Sequence, residues 1–99
     1  MGDNPAMHRR LLSKFLISAQ DHLSEVATAI AESKINVAAD QAHKLKSSAR
    51  TVGALLLGEL CQEIEHAGRA GDNIKCIELA AKLKSVFLAA AEEINKHLG

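Results

Sequence analysis

Aromatic residues are almost missing from this chain: its 99 residues include two phenylalanines and no tryptophan or tyrosine, although 47% are hydrophobic. A core with so little aromatic surface must be aliphatic, and its Ala-rich and Leu-rich composition suits closely packed helices better than sheets. The length leaves room for one core and no second domain. The composition therefore predicts a single all-helical domain over residues 1–99.

An excess of charge of either sign is missing as well, since Lys plus Arg and Asp plus Glu number 12 each. Strong binding to nucleic acid or to an anionic membrane surface is therefore not expected. Cys61 and Cys76 lack CxxC spacing, which favours small core residues in a reducing compartment over a disulfide or a zinc site. Without long apolar runs or a signal-peptide hydrophobic region, the chain is expected to be soluble and cytoplasmic.

Helix start and stop signals divide the chain into four segments. Asn4 before Pro5 is a typical helix start, because Asn caps exposed amides and Pro tolerates the first turn. Asn36 is the expected cap of the second helix, and Asp72 or Asn73 that of the last. Glycines mark the ends of the second and third segments. The predicted helices cover about residues 5–33, 36–52, 54–70 and 73–98.

Apolar residues recur at three- and four-residue spacing in every segment, as is typical of helices that bury one face. Four such helices joined by short turns predict an antiparallel up-down four-helix bundle. The predicted core positions are Leu12, Phe15, Ala19, Leu23, Val26 and Ile30; Ala38, Ala42, Leu45, Ala49 and Val52; Leu57, Leu60, Cys61, Ile64 and Ala67; and Cys76, Ala80, Leu83, Phe87, Ala91, Ile94 and Leu98.

His43 lies on the polar face of the second helix. At about 100° per residue it is roughly 140° from the apolar stripe, so the imidazole is expected to point to solvent. Lys46 and Arg50 follow at three and seven residues, and both cations are expected to face water beside the ring. Ala39, one turn earlier, is small and leaves the ring accessible. A neutral histidine has a free ring nitrogen able to attack phosphorus, although a solvated surface histidine is the plainer interpretation of this geometry alone.

The run from Ala42 to Ala54, AHKLKSSARTVGA, followed by LLLGELCQEIEHAGRAGD, is similar to the signature of the histidine-phosphotransfer (HPt) domain family. That signature is commonly HxLKGSSxxxGAxxL, followed by a third helix with LE and a basic residue. The resemblance covers about a third of the chain. It implies a phosphorelay intermediate that accepts a phosphoryl group from a receiver-domain phospho-aspartate and passes it to another receiver. The receiver would supply Mg²⁺, and no independent enzymatic activity is expected.

Residue by residue, the resemblance implies that His43 is the phosphoacceptor and that Lys46 stabilises phosphoryl oxygens. Gly53 would occupy the tight turn into the third helix, where a simple C-cap is an equally good role. Glu65 falls where the family often has a Glu or Gln that bonds the second ring nitrogen of the histidine. The alternative for Glu65 is a surface pair with Arg69 along the same helix.

Ser47 departs from the pattern, because the family more often has glycine directly after the lysine. Its side chain would narrow the docking surface for a receiver, or its hydroxyl would donate to a phosphoryl oxygen. Arg50 would attract an acidic receiver pocket, with a solvated arginine as the alternative. An apolar docking patch is expected beside His43, with Ala39, Ala42 and parts of the first helix as candidates.

Two other classes of function stay open. Five histidines in a short chain would suit a metal- or haem-binding bundle, but no two share a helix at i, i+3 or i+4 spacing, and no inward Glu-x-x-His pair is present. A structural helical interaction module is compatible with the apolar stripes. We expect a monomer without direct membrane contact. If Met1 and Gly2 are a cloning remnant, the domain comes from a longer protein, such as a hybrid sensor histidine kinase in the inner membrane.

Overall fold

The computed structural model describes residues 5–98, with the side chains of residues 7–96. It contains four α-helices and, within that range, no strand. No predicted helix bound lies more than two residues from the observed one, and the prediction of an all-helical four-helix bundle is confirmed. No helix of the described range is long and apolar enough to span a bilayer. The helices are α1 (Pro5–Ala31), α2 (Ile35–Thr51), α3 (Leu55–Arg69) and α4 (Asn73–Leu98).

Each helix packs against two others: α1 and α3 both contact α2 and α4. The side-chain bonds between α2 and α3 show that these two helices are antiparallel. Asp40 bonds to Arg69, whereas His43, one turn later in α2, bonds to Glu65, one turn earlier in α3. The bundle is elongated, with extents of 47 × 21 × 18 Å. The long seam between α2 and α3 is where the candidate site forms.

The core follows the predicted stripes. Val26, Leu45, Leu57 and Ile64 are completely buried, one from each of the first two helices and two from α3. Burying each such side chain contributes about 1.5–3 kcal/mol. Among the described residues no polar or charged side chain is buried. The bundle is therefore held by apolar packing, and its charged groups remain at the surface or along the seams between helices.

The observed core differs from the predicted one mainly at its edges. Leu23, Val52, Ala80 and Ala91 are only partly buried, because they lie at the flanks of their stripes or at a helix end. The side chain of Leu98 lies outside the described range. Three further apolar residues are buried although the stripes did not include them: Ala29, Ala39 and Leu79.

The first three helices end in the same backbone motif. Ser33, Gly53 and Gly71 have positive φ angles of 60°, 81° and 74°. In each case the amide of this residue donates to the carbonyl three residues back, and the next amide donates to the carbonyl five residues back. This is the Schellman motif, which satisfies the last carbonyls of a helix. Gly53 therefore occupies the tight turn between α2 and α3.

The predicted helix caps differ in outcome. Asp72 caps α4, because its Oδ1 accepts the amide of the residue three positions later at 3.0 Å. Asn36 does not cap α2, which begins one residue earlier and has Lys34 at the capping position without a side-chain bond. The reason is the Schellman turn, which ties the Lys34 amide back to α1 and brings the chain into α2 early. Asn4 lies outside the described residues.

The closest approach of α2 and α3 is at Gly68. A Cβ atom placed on Gly68 would lie 2.8 Å from the carbonyl oxygen of Ile35 and 2.9 Å from the Cβ of Ala39. Contacts this short between such atoms do not occur, so any larger residue would push the helices apart. Glu65 lies one turn before Gly68, and the spacing of the two helices therefore sets how far Glu65 stands from α2.

We expect Gly68→Ala to destabilise the bundle by about 1–3 kcal/mol through overpacking against backbone. Urea unfolding would measure this loss. Gly58→Ala is the matched control, because the nearest atom to its Cβ would be Cγ of the flexible Arg50 side chain at 3.2 Å, and the Cβ of Ala49 would lie at an ordinary contact distance of 3.9 Å. There the gain in helix propensity of about 1 kcal/mol offsets the contact. Equal losses for the two variants would contradict the close approach at Gly68.

Candidate functional site

His43 projects from the outer face of α2 with 55% of its side chain exposed. Two residues of the same helical turn, Ala42 and Leu45, are completely buried in the core. The backbone that carries the imidazole is therefore fixed by packing, while the ring itself is accessible from solvent. This placement agrees with the angle calculated from the apolar stripe.

The carboxylate of Glu65 on α3 contacts two side chains of α2. Its Oε2 lies 3.0 Å from Nδ1 of His43, and its Oε1 accepts a hydrogen bond from Nζ of Lys46 at 2.6 Å. The alternative partner from its own helix is also present, since Nη2 of Arg69 lies 3.8 Å from Oε2. Glu65 therefore contacts both predicted partners, His43 and Arg69, and the contact to the imidazole is the shorter of the two.

The charge on Glu65 determines where the imidazole carries its hydrogen. The hydrogen bond from Lys46 lowers the pKa of Glu65, and the bond from His43 acts in the same direction, against the opposing effect of burial. Glu65 is therefore ionised near neutral pH and can only accept hydrogen bonds. For neutral His43, Nδ1 must then donate, which leaves the lone pair on Nε2. The ring nitrogen with a free lone pair is then Nε2.

The sequence predicted that Lys46 faces water, but in the structure it does not. Only 15% of its side chain is exposed, because the stem runs along the seam towards α3 and places the ammonium on Glu65. The ammonium is also close enough to affect a core residue, Cys61. Burial raises the pKa of the Cys61 thiol to about 12, and the positive charge of Lys46 opposes that rise. The expectation that Lys46 is exposed is therefore wrong, although its ammonium shares a carboxylate with the imidazole.

Ala39 and Ala42 were candidates for a docking patch, and the structure excludes both. Each is completely buried, because α3 covers the flank of α2 on which Ala39 lies and Ala42 points into the core. Ala39 instead allows the close approach of α3. Among the residues of α2, all of which are described, Val37 is the exposed large apolar side chain, at 46%.

Three other predicted site residues lie around this centre without contacting it. Arg50 donates to the side-chain oxygen of Gln62 on α3 and so is directed along the seam, not towards the imidazole. Ser47 is exposed, and its backbone carbonyl accepts a hydrogen bond from the hydroxyl of Thr51. Gly53 lies ten residues beyond His43, about 15 Å further along the helix axis.

Asp40 is a site residue that the sequence analysis missed. Its Oδ1 lies 3.0 Å from Nη1 of Arg69, which extends the network at the imidazole by a second ion pair between α2 and α3. Its position three residues before His43, on the same outer face, was the available signal. On the other flank of α2, Nδ1 of His22 contacts the side-chain oxygen of Gln41 at 3.0 Å.

The metal-binding alternative finds no ligand set in the part of the chain that the structure describes. That part contains no grouping of three or more His, Cys, Asp or Glu side chains able to hold a metal ion. Cys61 and Cys76 are both buried and free. His97 lies outside the described side chains.

The lowered pKa of Glu65 predicts a specific dependence of stability on pH. The folded carboxylate binds its proton less tightly than the unfolded one, so its contribution is complete above the ordinary glutamate pKa of about 4.3 and is lost as pH falls through the lower folded value. Glu65→Gln should therefore flatten the acid limb of a plot of unfolding free energy against pH. Urea titrations between neutral and acid pH would show it, and parallel acid limbs would contradict the bonding described for Glu65.

A family model described as Hpt domain matches residues 10–96, a range that includes every residue of the network around Glu65. No curated protein and no solved structure matches the chain significantly. The match covers well over half of the chain and reaches into all four helices. The chain therefore belongs to the Hpt domain family, whose members carry phosphoryl groups on histidine in phosphorelays and interact with receiver domains.

Proposed function

We propose that this domain accepts a phosphoryl group on His43 from a receiver-domain phospho-aspartate and passes it to another receiver. One observation carries the proposal: the imidazole is exposed, and its Nδ1 is held by Glu65 while Nε2 is left with its lone pair. An exposed nitrogen nucleophile of fixed orientation is what in-line phosphoryl transfer requires of a carrier.

In the forward step Nε2 of His43 attacks phosphorus. The N–P bond forms as the bond from phosphorus to the aspartyl oxygen breaks, and the receiver regains its carboxylate. The ring keeps its hydrogen on Nδ1 and becomes positively charged, and Glu65 stabilises that charge at 3.0 Å. The same charge makes the imidazole a good leaving group when a second receiver's aspartate attacks the phosphorus.

Lys46 is proposed to offset charge on the phosphoryl oxygens. In the resting site its ammonium is bonded to Glu65, the carboxylate that also contacts Nδ1 of His43, and we propose that it leaves Glu65 for a group on Nε2. The exposed hydroxyl of Ser47 is a further donor on the same face. The receiver brings Mg²⁺ and most of the groups that polarise the phosphoryl group, so the domain acts as a carrier and not as an independent enzyme.

The receiver is proposed to dock over the outer face of α2. Val37 supplies the apolar contact on this helix in place of the two buried alanines, and Ser47 lies on the same exposed face. Arg50, bonded to Gln62 at the far end of the face, adds positive charge towards an acidic receiver pocket. Gly53 contributes through the turn that closes α2 against α3.

The decisive experiment is phosphotransfer from a phosphorylated receiver. We expect acid-labile, base-stable phosphate on the wild-type chain and none on His43→Gln. His66→Gln is the matched control, because His66 is an exposed histidine of the neighbouring helix and its loss should leave labelling unchanged. Phosphate that still appears on the His43→Gln chain would contradict the assignment of His43 as the phosphoacceptor.

Lys46→Met should slow transfer by roughly a hundredfold, the lower end of the range for losing one charge-stabilising donor. Because the lysine side chain is only 15% exposed and is bonded to Glu65, the same change should also cost about 1–2 kcal/mol of unfolding free energy. Single-turnover transfer and urea unfolding measure the two effects. The control is Lys84→Met on α4, an exposed lysine that should alter neither. A normal transfer rate in Lys46→Met would contradict the proposed role.

A further inference from the structure

Glu65 has a third partner besides His43 and Lys46, namely the guanidinium of Arg69 one turn further along α3. Nη2 of Arg69 lies 3.8 Å from Oε2, the same oxygen that contacts the imidazole. Through Nη1 this guanidinium also bonds to Oδ1 of Asp40 on α2, at 3.0 Å. Arg69 therefore approaches Glu65 at the oxygen that Lys46 does not use.

The charges of the resting site are balanced in two pairs. Lys46 lies 2.6 Å from Glu65, and Arg69 lies 3.0 Å from Asp40, whereas the distance from Arg69 to Glu65 is too long for a hydrogen bond. Glu65 is only 17% exposed and Arg69 is 50% exposed. A carboxylate as buried as Glu65 becomes unfavourable when its close cation leaves and nothing replaces it.

Lys46 has to move away from Glu65 in order to contact a phosphoryl group on Nε2. We propose that Arg69 is a positioning residue that closes on Oε2 of Glu65 when Lys46 turns to the phosphoryl group, so that the carboxylate stays paired and continues to face Nδ1 of His43. The departure of Lys46 rests on the proposed function. The exchange of one cation for another at Glu65 does not.

The chemistry of arginine suits this exchange. The planar guanidinium can hold Asp40 through Nη1 and Glu65 through Nη2 at the same time, and a movement of about 1 Å brings Nη2 to hydrogen-bonding distance. The bond to Asp40 keeps the group in place while Lys46 occupies Glu65. A lysine has one ammonium nitrogen and cannot hold both carboxylates as the guanidinium fork does. Arg69→Lys should therefore keep only part of the stabilisation that Arg69 gives to Glu65.

The exchange can be tested without phosphate, because Lys46→Met removes the lysine permanently. Arg69→Gln should raise the equilibrium constant for unfolding in urea by less than about twofold in the wild-type chain and by roughly fivefold in the Lys46→Met chain, where Arg69 is the remaining cation near Glu65. Lys96→Gln breaks a surface pair with Glu93 on α4 and should cost the same in both backgrounds. Equal costs of Arg69→Gln in both backgrounds would overturn the proposal.

A second measurement uses the phosphorylated chain. Phosphoramidate loads His43: its own P–N bond breaks with release of ammonia as the bond from phosphorus to Nε2 forms. Arg69→Gln should lower the thermal midpoint of the phosphorylated form more than that of the resting form. Suppose that Arg69→Gln costs more in the Lys46→Met chain but lowers the two thermal midpoints equally. That result would support the cation exchange and overturn the departure of Lys46 to the phosphoryl group. If Arg69→Gln costs the same in both backgrounds and lowers the two thermal midpoints equally, the exchange itself is overturned.

Discussion

The carboxylate of Glu65 is the group on which the geometry of the site depends. Through Oε2 it contacts the imidazole of His43, and through Oε1 it bonds the ammonium of Lys46. Because an ionised carboxylate can only accept, this one contact assigns the hydrogen of the neutral ring to Nδ1 and leaves the lone pair on Nε2. The same group keeps a lysine close to the ring without a phosphoryl group being present. Orientation and charge are thus supplied by a residue of the neighbouring helix.

The bundle makes that contact possible because α2 and α3 pack without room for a side chain at Gly68. Gly68 and Ala39 lie at the closest approach, where a single methyl group would collide with the backbone at Ile35. The Schellman turn at Gly53 reverses the chain within a few residues, so that both helices run side by side over their full lengths. Small residues in the seam and a tight turn therefore have a functional consequence: they set the distance across which Glu65 reaches His43.

Much of the fold could be predicted because its signals are local. Helical periodicity, the glycines at helix ends and the capping Asp72 all act within a few residues of themselves, and the observed helices agree with them. One local signal failed, because the Schellman turn at Ser33 starts α2 before Asn36. The errors at Ala39 and Lys46 arose where a neighbouring helix intervenes. Ala39 lies off the stripe of α2 yet is buried, because α3 covers that flank. Lys46 lies on the polar side of α2, yet its long stem crosses the seam to Glu65. A helical wheel describes one helix and holds no information about what packs against it.

By itself the sequence determined that the chain forms four amphipathic helices, that His43 stands outside the core, and that the surrounding residues resemble the family to which the chain belongs. The tertiary structure alone decided which ring nitrogen is free and which cation holds which carboxylate. His43 and Glu65 are 22 positions apart, and Asp40 and Arg69 are 29 apart. Pairings over such separations depend on the register and spacing of two packed helices, which are set by core packing and not by the local preferences of the residues that meet there.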